Sequence, residues 1–371
     1  MTREGISTVA RQEFRLRIRG GRWKFLLAAW FVVLAVLTVL LRVAAGTVQS
    51  LQDKGVIVFG GLVLVVLGLS LLVVPSLAAQ SVNGDRERGT LAALQVTRLT
   101  PGDITMGKFA AAWGTALLFL ALTVPLALYA ATQGGVSVGR LLSVLAVLAV
   151  LLGCVCAIAL CLSALLMRTT ASGLLSYLAV ALLTIGTLIA FGLASVVTQE
   201  KYEVSYPNVV CDTDAGYRDY YGPGSPLPEG CREEPQTYES SRTRTDRTWF
   251  LLAPNPFVIV ADAAPALPSA EQPGLSDAEQ QARYRARELD PLGQIGTTTR
   301  DLRREPEPLA DVIARESSGT GYSEAPPERP TSPVWPYGLA ADVVVGVLAL
   351  LLTARRLRTP SRTLPRGQRV A

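Results

Sequence analysis

The chain has 371 residues, half of them hydrophobic, with a formal net charge of +5 and a mean hydropathy of +0.34. A soluble globular protein of this size rarely has such a composition. The chain has no histidine, so it lacks the commonest general base and the commonest transition-metal ligand.

The first 22 residues are predicted to form a basic amphipathic helix that lies at the cytoplasmic face of a membrane. Adjacent stripes of this helix are apolar (Ile6, Ala10, Phe14, Ile18) and basic (Arg11, Arg15, Arg19). A positive patch that only sets the orientation of the chain is the alternative. Met1–Lys24 is longer than the basic region of a signal peptide, so we do not expect cleavage.

Six apolar runs follow, each long enough to cross a bilayer, where only helices satisfy the backbone. They are Trp23–Ala45, Val56–Ala79, Phe109–Ala131, Leu141–Met167, Ala171–Val197 and Tyr337–Ala354. We predict an all-α polytopic membrane protein with these runs as spans 1 to 6. Residues 198–336 would form a loop-rich extracytoplasmic domain between spans 5 and 6, and residues 355–371 a basic cytoplasmic tail.

The basic residues set the orientation. With the N-terminus in the cytoplasm, the inner segments hold 18 arginines and lysines near the span ends, and the outer segments hold only Arg42, Lys54 and Arg140. Since positive residues stay on the cytoplasmic side, we predict that both termini lie in the cytoplasm and that the chain resides in the cell membrane.

The inner loop between spans 2 and 3, residues 80–108, is longer than a connection requires. Asp85–Leu94 is predicted to form a short helix with a charged start and an apolar face of Leu91 and Leu94. Thr100 is predicted to cap the next helix, with Pro101 in its first turn and Asp103 completing a capping box.

Gly102–Lys108 matches most of a phosphate-binding P-loop. Phe109, however, stands where that motif needs a serine or threonine for magnesium. The segment is also predicted to lie inside a capped helix rather than in a loop between a strand and a helix. We therefore predict that it is not a nucleotide site.

The same loop carries a wider pattern: Glu87-x-Gly89-Thr90-Leu91, then Leu94, Thr97, Pro101, Ile104 and Gly107-Lys108. Together with the six spans and the basic N-terminal helix, this pattern resembles the permease subunits of ABC-2 type ABC transporters. The chain departs from that family in residues 198–336, because many relatives have only a short outer hairpin there.

The resemblance implies an export permease rather than an enzyme. The helix between spans 2 and 3 would dock on a separate ATPase subunit, present in two copies, which would bind the ATP and magnesium. The chain would pair with itself or with a homologous permease, and would carry no cofactor and bind no nucleic acid. The coupling role would fall on Asp85, Glu87, Gly89, Thr90, Leu91 and Leu94.

The predicted outer domain is acidic, with 23 aspartates and glutamates against 14 arginines and lysines. Cys211 and Cys231 are its only cysteines, and we predict that they form a disulfide there. Phe250–Val260 is apolar but too short to span. It is predicted either to dip into the outer leaflet or to form the domain's own core.

Two features inside the spans have alternative interpretations. Cys154, Cys156 and Cys161 in span 4 are interpreted as small packing residues rather than as metal or redox ligands. Asp342 is the only carboxylate within the predicted spans. One interpretation is that it contacts a proton or a substrate. The favoured interpretation is that it lies close enough to the outer interface to reach water.

Three classes of function are therefore compared. A transport permease is the leading hypothesis, and an ATPase-linked signalling or scaffold protein that uses its outer domain mechanically is the alternative. A membrane-embedded enzyme is disfavoured, since the sequence lacks histidine and clustered intramembrane carboxylates.

Overall fold

The computed structural model describes residues 2–19, 21–46, 54–89, 99–211, 231–268, 274–317 and 332–358. The helices of the first half are α1 Arg3–Arg19, α2 Gly21–Gly46, α3 Gly55–Ala79, α4 Asn83–Glu87, α5 Pro101–Thr132, α6 Val138–Leu165, α7 Thr169–Ala181 and α8 Thr187–Val197. A π-helical turn, Leu182–Gly186, joins α7 to α8. The later elements are β1 Gln199–Cys211, β2 Cys231–Thr243, α9 Pro256–Asp262, α10 Asp277–Glu288, α11 Pro291–Asp301, α12 Leu309–Ser317 and α13 Trp335–Arg356.

The prediction of a six-span, multi-pass membrane protein is confirmed at the level of length and composition. Six helical stretches are long and apolar enough to cross a membrane: Trp23–Gly46, Gly55–Glu87, Pro101–Thr132, Val138–Leu165, Thr169–Val197 and Trp335–Arg356. The fold is not purely helical, however, because β1 and β2 form a small sheet between spans 5 and 6.

Span 3 begins at Pro101 instead of at the first apolar residue, Phe109, because the polar residues before Phe109 start the helix. The Thr100 side chain accepts from the Asp103 backbone N–H, and the Asp103 carboxylate accepts from the Thr100 backbone N–H. This is the predicted capping box, with Pro101 in the first turn. Gly102–Lys108 is therefore helical, as predicted.

Span 4 forms the centre of the helical bundle. Its helix packs against spans 2, 3 and 6. In the most apolar 18-residue stretch of span 4, 72% is buried inside the protein, whereas none of the equivalent stretch of span 5 is buried. Large apolar side chains of spans 1 and 5, such as Val36 and Leu182, are exposed. These faces are suited to contact with lipid or with another membrane chain.

The chain divides into two compact units. One comprises Met1–Leu188, Leu252–Thr299 and Pro333–Ala371, and the other Ile189–Leu251 and Arg300–Ser332. The middle of the predicted outer domain, Leu252–Thr299, is thus part of the unit that contains most of the spans. We call it the inserted segment.

Helix α9 of the inserted segment packs against spans 2, 4 and 6. Its N-cap residue Asn255 accepts from the Phe257 backbone N–H, and Ile259 and Val260 are fully buried in the main apolar core of the bundle. Phe250–Val260 was predicted either to dip into the outer leaflet or to form the outer domain's own core. The part of this stretch that lies in α9 does not form a separate core, because it is buried in the core of the bundle.

The second unit is built around an antiparallel ribbon of two strands, paired from Gln199–Thr243 to Cys211–Cys231. Tyr202 and Val204 of β1 pack with Val312 of α12 in a small apolar core. At the base of the ribbon, the Arg242 guanidinium donates to Glu200 at 2.6 Å. This hydrogen bond, with a smaller contribution from Arg244, lowers the pKa of the Glu200 carboxyl.

The predicted disulfide has a suitable position, since Cys211 and Cys231 are direct cross-strand partners. We expect neither thiol to react with an alkylating reagent when the unreduced protein is denatured, and both to react after reduction. In the chain-entropy model, a disulfide that closes a loop of this length stabilises the folded protein by about 3 kcal/mol. Alkylation of both cysteines without reductant would contradict the pairing.

Candidate functional site

The candidate site lies where the ends of spans 2 and 4 meet the start of span 3. The hydroxyl of Ser163, near the end of span 4, accepts from the backbone N–H groups of Val82 and Asn83 at 3.1 and 3.2 Å. Val82 is also buried against Ile104, Leu160 and Leu357. The start of α4 is therefore fixed to the bundle by both hydrogen bonds and apolar contacts.

Lys108 is the centre of this site. Its side chain is 0% exposed, and its ammonium donates to the Glu13 carboxylate at 2.5 Å, to the Ser81 carbonyl at 2.9 Å and to the Asp85 carboxylate. All three donors of the ammonium are used. The charge of one lysine on span 3 thus joins the N-terminal helix to the end of span 2.

Helix α1 lies directly against the start of span 3. A side chain at Gly107 would place its Cβ 2.5 Å from the Val9 Cβ, so only glycine allows this approach. The Thr2 backbone N–H donates to Asp103 at 2.8 Å. The side of α1 that carries Gly5 and Val9 is therefore buried against protein, which adds a defined partner to the predicted interfacial helix, while Arg3, Arg11 and Arg15 are exposed.

The end of α4 contacts the turn between spans 4 and 5. Glu87 accepts from the Thr169 backbone N–H at 3.2 Å, at the start of span 5. Arg86 donates to the Leu166 carbonyl at 3.3 Å. Glu87, Arg88 and Gly89 are nevertheless exposed, so this end of α4 presents an open surface that is connected to span 5.

Gly89 ends the helix. Its φ is +70°, a conformation that favours glycine, and a Cβ added at this position would have no neighbouring atom within 4 Å. The required feature is therefore the turn rather than a close approach of another chain segment. Up to Gly89, the predicted helix Asp85–Leu94 differs from the structure: α4 runs from Asn83 to Glu87, and the left-handed turn at Gly89 ends it. The rest of the predicted helix, residues 90–94, lies outside the described residues.

The structure divides the predicted coupling residues into three groups. Asp85 is 8% exposed and is bonded to Lys108 and Arg88, so its carboxylate acts within the chain. Glu87 and Gly89 are at the surface. Thr90, Leu91 and Leu94 lie outside the described residues.

Glu13 and Ser163 belong to the site but were not predicted from the sequence. Glu13 is one of only two acidic residues in the basic N-terminal segment, which is a weak signal. Lys108 carried a clearer signal, as a lysine next to a long apolar run, but its partners are 23 and 95 positions away. Only the fold brings them together.

The other residues considered from sequence lie in the bundle. Cys154, Cys156 and Cys161 are buried and take part in no disulfide. Among the described residues, no group of three histidine, cysteine, aspartate or glutamate side chains could hold a metal ion. Asp342 is buried, with 5% exposure, which contradicts the favoured interpretation that it reaches water.

Comparison with known proteins adds no assignment: no family model, curated protein or solved structure gives a significant match to this chain.

Proposed function

We propose that this chain is the membrane-spanning permease subunit of an ABC-2 type ABC transporter, and that a separate ATPase subunit drives export through it. The observation that carries the proposal is the exposed end of α4, which is joined to several membrane helices. A force applied at Glu87–Gly89 would reach span 5 through Thr169, and span 3 and α1 through Asp85 and Lys108.

The charges and exposed faces support the same assembly. The Glu87 carboxylate is at the surface and would meet basic groups of the ATPase, while ATP and magnesium would be bound on that partner. The exposed apolar faces of spans 1 and 5 would contact lipid and a second permease, identical or homologous. In this proposal both termini and α4 are cytoplasmic and the ribbon is extracytoplasmic.

A second candidate is an ATPase-linked signalling or scaffold protein. The separate unit built on the β1–β2 ribbon favours it, because such a unit could bind or pull on a partner outside the membrane without any substrate being transported.

The experiment is co-purification of this chain with an ABC ATPase subunit, which is sought first in the adjacent reading frames. We expect a complex that hydrolyses ATP, whereas the isolated chain binds no ATP above background. Substrate-stimulated hydrolysis by the complex would favour transport over the scaffold role. ATP hydrolysis by the isolated chain, or failure of the ATPase to bind, would contradict the proposal.

A further inference from the structure

The inserted segment is held on the bundle at the end opposite to Lys108 by a buried ion pair. Arg140, in the first turn of span 4, donates from Nη2 to Asp290 Oδ2 at 2.5 Å. Both side chains are 2% exposed, and the residues are 150 positions apart. Asp290 immediately precedes α11, and its backbone carbonyl accepts from the Gln294 N–H at the start of that helix.

This ion pair is only half satisfied. Nε and Nη1 of Arg140 and Oδ1 of Asp290 are buried and have no hydrogen-bond partner among the described residues. An arginine and a carboxylate can form two parallel hydrogen bonds, and a buried pair offsets its desolvation only when its remaining polar atoms are also bonded. The pair therefore gives specific placement with little net stabilisation.

The other end of the inserted segment is held differently. The Asn255 amide donates at 2.8 Å to the Thr184 carbonyl and also to the Thr187 hydroxyl. The π-helical turn of span 5 contains Thr184, and such turns alter the regular backbone hydrogen bonding. Asp262 accepts from the backbone N–H groups of Val334 and Trp335, at the start of span 6. Helix α9 is thus fixed by satisfied hydrogen bonds.

The contact surface near the ion pair is shaped by glycines. A Cβ at Gly60 of span 2 would lie 2.8 Å from Cδ of Pro291, so α11 begins directly against the span. A Cβ at Gly293 would overlap Asp290 Oδ2, so glycine leaves the space in which the carboxylate reaches Arg140.

We propose that the Arg140–Asp290 pair is a releasable latch. When the pair opens, residues Asp290–Leu292 separate from spans 2 and 4 while α9 stays in place. This part of the inserted segment then acts as a lid that can open at the end of the bundle where Arg140 lies. The difference in hydrogen-bond satisfaction between the two ends of the segment supports this division. The proposal does not depend on the proposed function.

The test uses the purified full-length chain and a thiol-reactive maleimide, with labelling of each cysteine followed by peptide mass spectrometry. Leu292 is 0% exposed, so Leu292→Cys reports on opening of the latch. Native Cys156, also 0% exposed, reports on opening of the whole bundle. Ile259→Cys reports on α9, and Ala278→Cys on exposed α10 serves as the accessible control.

We expect Leu292→Cys to be labelled at least tenfold faster than Cys156 and Ile259→Cys. Adding Arg140→Gln should speed its labelling about a further tenfold, with Ala278→Cys unchanged. Gly293→Ala keeps both charges but displaces the Asp290 carboxylate, and should act in the same direction, which covers the case that Arg140→Gln does not fold. Labelling of Leu292→Cys no faster than that of Cys156, or unchanged labelling in a folded Arg140→Gln or Gly293→Ala chain, would overturn the latch.

Discussion

Replacing Lys108 by methionine is expected to destabilise the protein strongly. Methionine fits the buried space but removes the ammonium that bonds both Glu13 and Asp85. The buried cation between these two carboxylates is then lost, and Asp85 keeps the exposed Arg88 as a partner cation. Breaking a buried ion pair by removing one partner typically costs about 3–5 kcal/mol. The measurement is the temperature at which half of the detergent-purified chain is no longer monodisperse, which we expect to fall clearly.

The control and the rescue make this result specific. Lys24→Met changes an exposed lysine and should leave the midpoint nearly unchanged. Adding Glu13→Gln and Asp85→Asn to Lys108→Met removes the two carboxylate charges that the ammonium had bonded and should recover part of the loss, as expected for groups that share one network. A Lys108→Met midpoint equal to that of the unaltered chain would show that the cluster does not hold α1 and span 2 to span 3.

The spans and the capping box could be predicted from sequence because their signals are local. Apolar runs define the lipid-crossing helices, and Thr100, Pro101 and Asp103 lie within four residues of one another. The capping box also explains why span 3 begins before its apolar run. A helix begins where its first N–H groups find partners, which need not be where the chain becomes apolar.

The ribbon was missed because proline and acidic residues outweighed its strand signal. Tyr202, Val204 and Tyr206 do alternate along β1, but Pro207 argues against a central strand. In the structure Pro207 pairs opposite Pro235. A two-stranded ribbon consists only of edge strands, where a missing backbone N–H is tolerated.

The buried ion pairs could not be predicted from sequence. Lys108 meets Glu13, and Arg140 meets Asp290, only after helices that are distant in sequence have packed. Spacing along the chain carries no information about such pairs. For this reason the burial of Asp85 was not anticipated when it was predicted to contact a partner protein. A carboxylate in a polar loop is expected to be exposed, and only the fold shows that Lys108 lies beside it.

The coupling role of Glu87 is the claim on which the proposed function rests. If its carboxylate meets basic groups of the ATPase, Glu87→Arg places like charges together. Loss of a desolvated charged contact typically weakens association by about 2–5 kcal/mol, which is roughly thirtyfold or more in affinity. Leu91→Asp should have a comparable effect if this residue buries apolar surface in the same interface.

Glu87 also accepts a hydrogen bond at the start of span 5, and loss of such a cap costs about 1 kcal/mol. Glu87→Gln keeps a hydrogen-bond acceptor of the same size but removes the negative charge. It therefore distinguishes the effect of losing the cap from the effect of losing the charge. It should retain the stability of the unaltered chain yet bind the ATPase less tightly. Glu239→Arg, a charge reversal on the exposed face of the ribbon, is the matched control and should bind fully.

The most direct measurement is the amount of ATPase that co-purifies with each permease variant from membranes, together with transport by the same complexes. We predict that Glu87→Arg and Leu91→Asp are folded and inserted in the membrane but recover little ATPase and do not transport. Full ATPase recovery and transport by both variants would contradict the coupling role assigned to the end of α4.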